Sequence, residues 1–308
     1  MNKLADYLKR LKEYRITMFN CHSEFLLNTY LEKLFKILSN FKSNKNNPNI
    51  CVIVEDRINF LLRFSVLNTL LMTKLERHVY IYTTKKAYSE CMSMFSDLTN
   101  YVSVIQLNFN SIDVNHINVP LYNSLFKTSS FWKGLPTRKV FIFQTDSFLI
   151  EPLDDSMFSY DYIGAPFVKG KHLSTSFPEF SQDTLQENHL NWITQIYNPS
   201  IPDGLSYGNG GLSIRDRELM IKICENECSS DEENEDIFFS RFLKVYSNNL
   251  PPLHIVRRFS CECDYQKSIA CHASYLYILP HQQAEIYERH VKYIISLFDF
   301  YITSNNIT

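Results

Sequence analysis

Only 7 glycines occur in 308 residues, yet Gly208, Gly210 and Gly211 fall within the single stretch Y-G-N-G-G-L-S. Glycine permits positive φ and close approach of the backbone to another group, so a chain this poor in it marks such a place by clustering it. The bland alternative is a tight turn before a strand. No G-K-S/T follows, which excludes a phosphate-cradling loop of that kind, and no dinucleotide fingerprint is present. Long apolar runs are missing too. No window approaches the ~18 uninterrupted apolar residues of a membrane-spanning helix, and Met1 to Arg15 carries charges where a secretion signal needs an apolar core. Charge of one sign is also lacking: 31 Lys and Arg face 33 Asp and Glu, for a net charge of −2. With no basic patch interleaved with aromatics, this excludes wholesale electrostatic binding to nucleic acid or to an anionic membrane. The 8 cysteines are scattered along a long chain and match neither a dense disulfide framework nor a zinc spacing. The expectation is a cytoplasmic, intracellular protein with free thiols and no transmembrane segment.

What is present is a change of period. Leu4, Leu8 and Leu11, then Leu27, Tyr30, Leu31, Leu34 and Leu38, recur at three-and-four spacing and predict amphipathic helix. Residues 1–47 are therefore expected to form a helical N-terminal extension, ending in the polar run S-N-K-N-N-P-N. Residues 48–308 are expected to form one α/β domain. Ile50 to Val54 predicts a buried strand, Phe60 to Leu75 a helix, and His78 to Thr84 a strand. Lys85 to Phe95 then predicts a helix, Tyr101 to Leu107 a strand, and Leu121 to Phe131 a helix. Val140 to Phe143 predicts a fourth strand. Alternation of this kind argues for a mostly parallel sheet covered by helices on both faces. Further on, Tyr160 to Pro166 reads as a short strand and Phe167 to Ser206 as a long loop. Ile237 to Val245 and Ile286 to Tyr301 read as helices.

The fourth strand runs K-V-F-I-F straight into Gln144-Thr145-Asp146. A carboxylate at the end of a buried strand either caps a turn or holds a ligand, and the spacing alone does not choose. Glu55 and Arg57, in V-I-V-E-D-R, stand at the carboxyl end of the first strand, where α/β sheets bind ligands. Glu235 and Asp236 open an apolar-periodic helix in N-E-D-I-F-F-S. There an acidic side chain is favoured by the free N–H groups and the macrodipole alone. The same environment is expected to keep such a carboxylate ionised at pH 7, as a general base requires. His272 is by itself an ordinary histidine, more often packed in a core than used as a ligand.

Taken in order, Y-N-S-L-F-K-T-S-S-F-W, K-V-F-I-F-Q-T-D-S, Y-D-Y-I-G-A-P, G-N-G-G-L-S-I-R, E-D-I-F-F-S and F-S-C-E with a later histidine resemble one family. It is a poorly characterised group of proteins similar to glycosyltransferases of the glycosyltransferase-A fold, a single Rossmann-like domain. The resemblance covers about Ile50 to Tyr275. It implies transfer of a hexosyl or pentosyl group from a nucleotide-sugar donor to the hydroxyl of a glycan, protein or small-molecule acceptor. In such folds an Asp-x-Asp motif holds a divalent ion, manganese or magnesium, against the donor diphosphate. Here Gln144 replaces the first aspartate and Asp146 keeps the second. The resemblance then makes Asp146 and His272 the metal ligands and Asp236 or Glu235 the base. Glu55, Arg57, Gln144, Thr145, Asp146, Asn209, Gly210 and Gly211 become the donor-binding set. A nucleotidyltransferase would need a Gly-rich basic loop after the first strand, which V-E-D-R-I-N-F-L lacks. A non-catalytic nucleotide-sugar-binding or scaffold protein is the other reading. A homodimer through the N-terminal helices is a further expectation.

Overall fold

The computed structural model describes residues 3–38, 47–109, 112–166, 208–230, 233–263 and 265–304. The expected linker at 43–49 lies mostly outside these residues, and the expected loop at 167–206 lies wholly outside them. The centre is a six-stranded sheet. Its strands, in chain order, are β1 (Asn49–Val54), β2 (Val79–Thr83), β3 (Val102–Gln106), β6 (Lys139–Phe143), β8 (Tyr162–Gly164) and β9 (Leu212–Asp216). They lie side by side in the order β3-β2-β1-β6-β9-β8. β1 pairs in parallel with β2 and β6, and β2 pairs in parallel with β3, whereas β9 runs antiparallel to both β6 and β8. The fold is thus mixed α/β with a mostly parallel sheet, helices on both faces and a helical N-terminal region.

Alternation along β1 shows why both faces must be covered. Cys51 and Ile53 enter one core with the helix Phe60–Met72, while Ile50, Val52 and Val54 enter a second core with Trp132, Met220 and Phe239. Helix starts follow local chemistry. Asn59 Oδ1 accepts from the N–H groups of Leu61 and Leu62, Thr84 accepts from Ala87, and Asp216 accepts from Glu218 and Leu219. The N-terminal helices, Lys3–Leu26 and Glu32–Leu38, are joined by a π-helical turn at Leu27–Leu31. Leu26, Leu31, Leu34, Phe35 and Leu38 are buried in the first core beside Leu67 and Leu70, so the stripe from Leu27 to Leu38 packs against the helix Phe60–Met72.

The structure adds elements that periodicity did not reveal. β7 (Ser147–Leu149), β10 (Ser260–Cys261) and β11 (Ala270–His272) form a second, three-stranded sheet, and β4 (Asn108–Phe109) pairs with β5 (Ile112–Asp113). The expected helix at Leu121 to Phe131 is two, Val119–Phe126 and Ser129–Lys133, broken at Lys127 and Thr128. The last helix spans Pro280–Ser304 and begins six residues before its clear periodicity. Among the described residues no helix is long and apolar enough to cross a membrane.

Candidate active site

The strand order reverses between β1 and β6, the first strand pairing outward with β2 on one side and β6 on the other. At such a switch point the loops leaving adjacent parallel strands diverge, and the crevice between them is where open α/β sheets bind ligands. The residues leaving β1 are Glu55, Asp56 and Arg57, and those leaving β6 are Gln144, Thr145 and Asp146. The two loops touch. Thr145 Oγ1 donates to Glu55 Oε2 at 3.3 Å, and Arg57 Nη2 reaches Thr145 Oγ1 at 3.3 Å. Buried Glu55 also accepts from the Arg57 backbone N–H, from Nε at 2.8 Å and from Nη2 at 2.6 Å. It is therefore a brace for Arg57, whose side chain stays 68% exposed and carries its charge to the crevice mouth.

The turn after β6 settles what Asp146 does not do. Ser147 closes it: its Oγ accepts from Gln144 N–H at 2.9 Å and donates to Gln144 O at 2.8 Å, and its own N–H donates to the same carbonyl. The Asp146 carboxylate is spared from capping. Its Oδ1 is buried and makes no hydrogen bond, while the side chain as a whole is 34% exposed. Asp146 O accepts from Ala273 N–H at 3.0 Å, which ties the turn to the end of β11.

β7 pairs antiparallel with β11, setting His272 opposite Ser147 and delivering the imidazole to Asp146. His272 Nε2 lies 3.0 Å from Gln144 Oε1 and 3.4 Å from Asp146 Oδ1, and Nδ1 lies 3.5 Å from Glu262 Oε1. Burial works against the imidazolium, but the two carboxylates prevail and push its pKa up to about 10. The same imidazolium outweighs the burial of Asp146 and holds that carboxyl below its usual range. Among the described residues no three His, Cys, Asp or Glu side chains converge tightly enough to hold a metal by themselves. Asp146 and His272 nevertheless suit a shared divalent ion that displaces the Nε2 proton, since a hard carboxylate oxygen lies 3.4 Å from an imidazole nitrogen. The amide oxygen of Gln144 stands next to both, and a site with two protein ligands is completed by substrate oxygens.

The glycine cluster is built against this pair. A Cβ on Gly211 would collide with the His272 ring and with Gln144 Oε1, and one on Gly210 would collide with Glu235 and Arg215. Asn209 shapes the loop, its Oδ1 accepting from Gly211 N–H at 2.9 Å and its Nδ2 donating to Glu262 Oε1 at 3.1 Å. Glycine here answers a close approach between backbone and side chains.

The two acidic residues at the start of the helix Glu235–Tyr246 separate. Glu235 is buried and bidentate to the fully buried Arg215, at 2.6 and 2.9 Å. The Arg215 guanidinium also lies within 5.2 to 5.7 Å of the ring centres of Tyr162, Phe126, Phe239 and Trp132, and its Nη2 donates to Gly210 O. Glu235 is thereby committed to an internal pair. Asp236 instead accepts from Gly210 N–H at 3.2 Å and faces the glycine loop. Burial first, then the adjacent Glu235 charge, push its pKa up to about 6. This corrects the expected effect of the helix N-terminus, which burial and a like charge outweigh. At pH 7 the carboxylate is still mostly ionised.

Sequence reasoning missed four contributors. Arg215 pins Gly210, Glu262 faces His272, and Asn123 Oδ1 accepts from Glu235 N–H at 3.1 Å to fix the helix start. The Tyr122 hydroxyl is buried without a hydrogen-bond partner. All four sit inside the motifs quoted above, but their contacts span 5 to 112 residues and no local spacing encodes them.

Residues 106–276 match the model of a family described as proteins of unknown function, DUF5672. That stretch is more than half of the chain, and the chain belongs to this family. No curated protein matches it by sequence. Among solved structures, the chain is similar to the glycosyltransferase GlyE of Streptococcus pneumoniae TIGR4. That likeness has 9% identity and a TM-score of 0.45, over 83% of this chain and 63% of that one. It is also similar to the mannosyltransferase PcManGT from Pyrobaculum calidifontis, solved with GDP-Man and Mn2+, at 11% identity and a TM-score of 0.38. This covers 79% of this chain and 66% of that one. A third is 4-diphosphocytidyl-2C-methyl-D-erythritol synthase from Anaerococcus prevotii DSM 20548, at 11% identity and a TM-score of 0.36. It covers 79% of this chain and 95% of that one. The chain spans less than two thirds of the two glycosyltransferases. At these identities and scores the functional argument rests on this chain's own side chains.

Proposed function

We propose that the protein is a nucleotide-sugar-dependent glycosyltransferase acting on an acceptor hydroxyl. One observation carries the reading. At the switch point of the sheet, a carboxylate beside an imidazolium (Asp146 and His272, 3.4 Å apart), an exposed guanidinium (Arg57) and a second carboxylate against a glycine loop (Asp236) share one end of the sheet. In this reading Asp146 and His272 hold a divalent cation beneath the donor diphosphate, and Gln144 contributes a neutral oxygen. Bound there, the cation supplies charge stabilisation to the departing nucleoside diphosphate. Arg57, held by Glu55 and Thr145, adds a fixed positive charge on the β1 side of the crevice. Gly210 and Gly211 let backbone lie close to the transferred sugar.

Asp236 takes the role of general base in an inverting transfer. Its pKa near 6 leaves it charged at pH 7 yet basic enough to accept a proton from the acceptor hydroxyl as the new bond forms. Glu235 serves this reading through Arg215 and Gly210, without meeting substrate. The test is incubation with a panel of nucleotide sugars and Mn2+, with donor hydrolysis and thermal stabilisation as readouts. Donor hydrolysis that disappears in Asp146→Ala supports the reading. Stabilisation by a nucleotide sugar without any turnover supports a non-catalytic binding protein instead. Absence of both, with every donor, overturns the proposal.

A further inference from the structure

His272 is held between two acidic groups, and only one of them belongs to the strand-end motif. Nε2 faces Asp146 Oδ1 and Gln144 Oε1, while buried Nδ1 is ion-paired with Glu262 Oε1 at 3.5 Å. Glu262 is itself anchored, because Asn209 Nδ2 donates to the same Oε1 at 3.1 Å and Asn209 Oδ1 receives the Gly211 N–H. A Cβ on Gly211 would strike the imidazole from a further side. A continuous chain of contacts therefore runs from Gly211 through Asn209 and Glu262 to His272 and on to Asp146. Glu262 follows β10, which pairs in parallel with β11, so backbone pairing sets the separation between Glu262 and His272.

We propose that Glu262 is the positioning residue of this site: it holds the His272 Nδ1–H and thereby turns Nε2 toward Asp146, where a divalent cation is taken up. An imidazole offers a lone pair from only one nitrogen, and the partner of the other nitrogen decides which. A carboxylate behind a ligating histidine fixes ring orientation and raises ligand basicity, and its loss commonly weakens metal binding 10- to 100-fold. Because Gln144 stands where an acidic residue would supply charge, the single carboxylate Asp146 leaves this site more dependent on a well-oriented imidazole. The inference rests on the metal-assisted reading above, but the orientation it assigns to His272 can be observed without metal or substrate.

The experiment compares wild type with Glu262→Gln and Glu262→Leu, first confirming equal far-ultraviolet circular dichroism and melting profiles. Mn2+ alone is titrated by calorimetry, and the ring nitrogens of His272 are followed by 15N nuclear magnetic resonance in the metal-free protein. The expected result is Mn2+ binding weakened roughly 10- to 100-fold in Glu262→Leu and less than tenfold in Glu262→Gln, which keeps an acceptor oxygen. A slowly exchanging His272 Nδ1–H is expected in wild type and Glu262→Gln, and is expected to be lost in Glu262→Leu. Unchanged Mn2+ affinity in Glu262→Leu overturns the proposal. So does an Nδ1–H signal in wild type that Glu262→Leu leaves intact. If wild type binds no Mn2+, the metal-assisted reading fails, and the loss or persistence of Nδ1–H still decides the role of Glu262.

Discussion

Two buried histidines of this protein stand in opposite surroundings. His272, at the crevice, has Asp146 and Glu262 for neighbours, whereas His290, on the last helix, has His22 and Asn68. His290 is fully buried; its Nδ1 lies 3.0 Å from His22 Nε2 and its Nε2 lies 2.8 Å from Asn68 Nδ2. Asn68 goes on to exchange hydrogen bonds with both backbone groups of Leu149 in β7. This second cluster joins the first helix, the last helix, the helix Phe60–Met72 and the small sheet. Burial depresses the pKa of His290 well below the ordinary value and brings His22 to about 3, so both stay neutral. In contrast, His272 is raised to about 10. Neutral polar partners leave a buried histidine uncharged, while a carboxylate on either side keeps it charged.

Breaking the contrast at the crevice produces the largest expected effect. Asp236→Asn is expected to lower kcat by ~10²–10⁴-fold, the usual contribution of general base catalysis. His290→Leu is expected to leave kcat within about twofold, since its hydrogen-bond partners, His22 and Asn68, are not among the site residues. Steady-state kinetics with the donor found active in the panel checks both. Next comes the support beneath the glycine loop. Arg215→Met removes one partner of a buried pair and strands Glu235, so a loss of about 3–5 kcal/mol is expected by denaturant unfolding. Breaking an exposed surface pair such as Lys292 with Glu288 is expected to leave the unfolding midpoint unchanged.

The pH dependence of stability sharpens the contrast further, because the two histidine sites have opposite signs. For His22 and His290 the folded pKa lies below the unfolded value. Their contribution is present above about pH 6.5 and is lost as pH falls from there toward about 3 for His22. For His272 the folded pKa is raised. Its contribution is complete below about pH 6.5 and is lost as pH rises through about 10. Melting temperatures of His290→Leu are expected to fall less steeply than wild type between pH 6.5 and 5, and those of His272→Ala less steeply between pH 8 and 10. Asp236 adds a pH dependence of its own. Its raised pKa means the folded state pays for the charge, so stability declines as pH rises from about 3.8 to about 6. Asp236→Asn is expected to stabilise the protein by up to about 3 kcal/mol at pH 8 and by nothing measurable at pH 3.

Much of the main sheet was legible because its strands are continuous apolar runs and its helices are strongly periodic. β1, β2, β3 and β6 lie within about a residue of where Ile50, His78, Tyr101 and Val140 suggested. The small sheet was not legible, since β7, β10 and β11 have two or three residues each and no period can be read from so few. The glycine cluster pointed to a close approach, and the structure supplies the approaching groups, His272, Gln144, Glu235 and Arg215. Distinguishing Glu235 from Asp236 was beyond local reasoning. Both satisfy the chemistry of a helix start, and what separates them is Arg215, brought from 20 residues away by the pairing of β9 with β6. His272 could not be told from a core histidine for the same reason, because its partners Asp146 and Glu262 come from other elements.

The most direct measurement is the thermal shift given by an active nucleotide sugar with and without Mn2+, in wild type, His272→Ala and His290→Leu. A single site at the crevice predicts a metal-dependent rise in melting temperature that His272→Ala abolishes and that His290→Leu retains from its lower starting point. A rise that survives in His272→Ala, or one lost only in His290→Leu, would contradict the placement of donor and metal at Asp146 and His272.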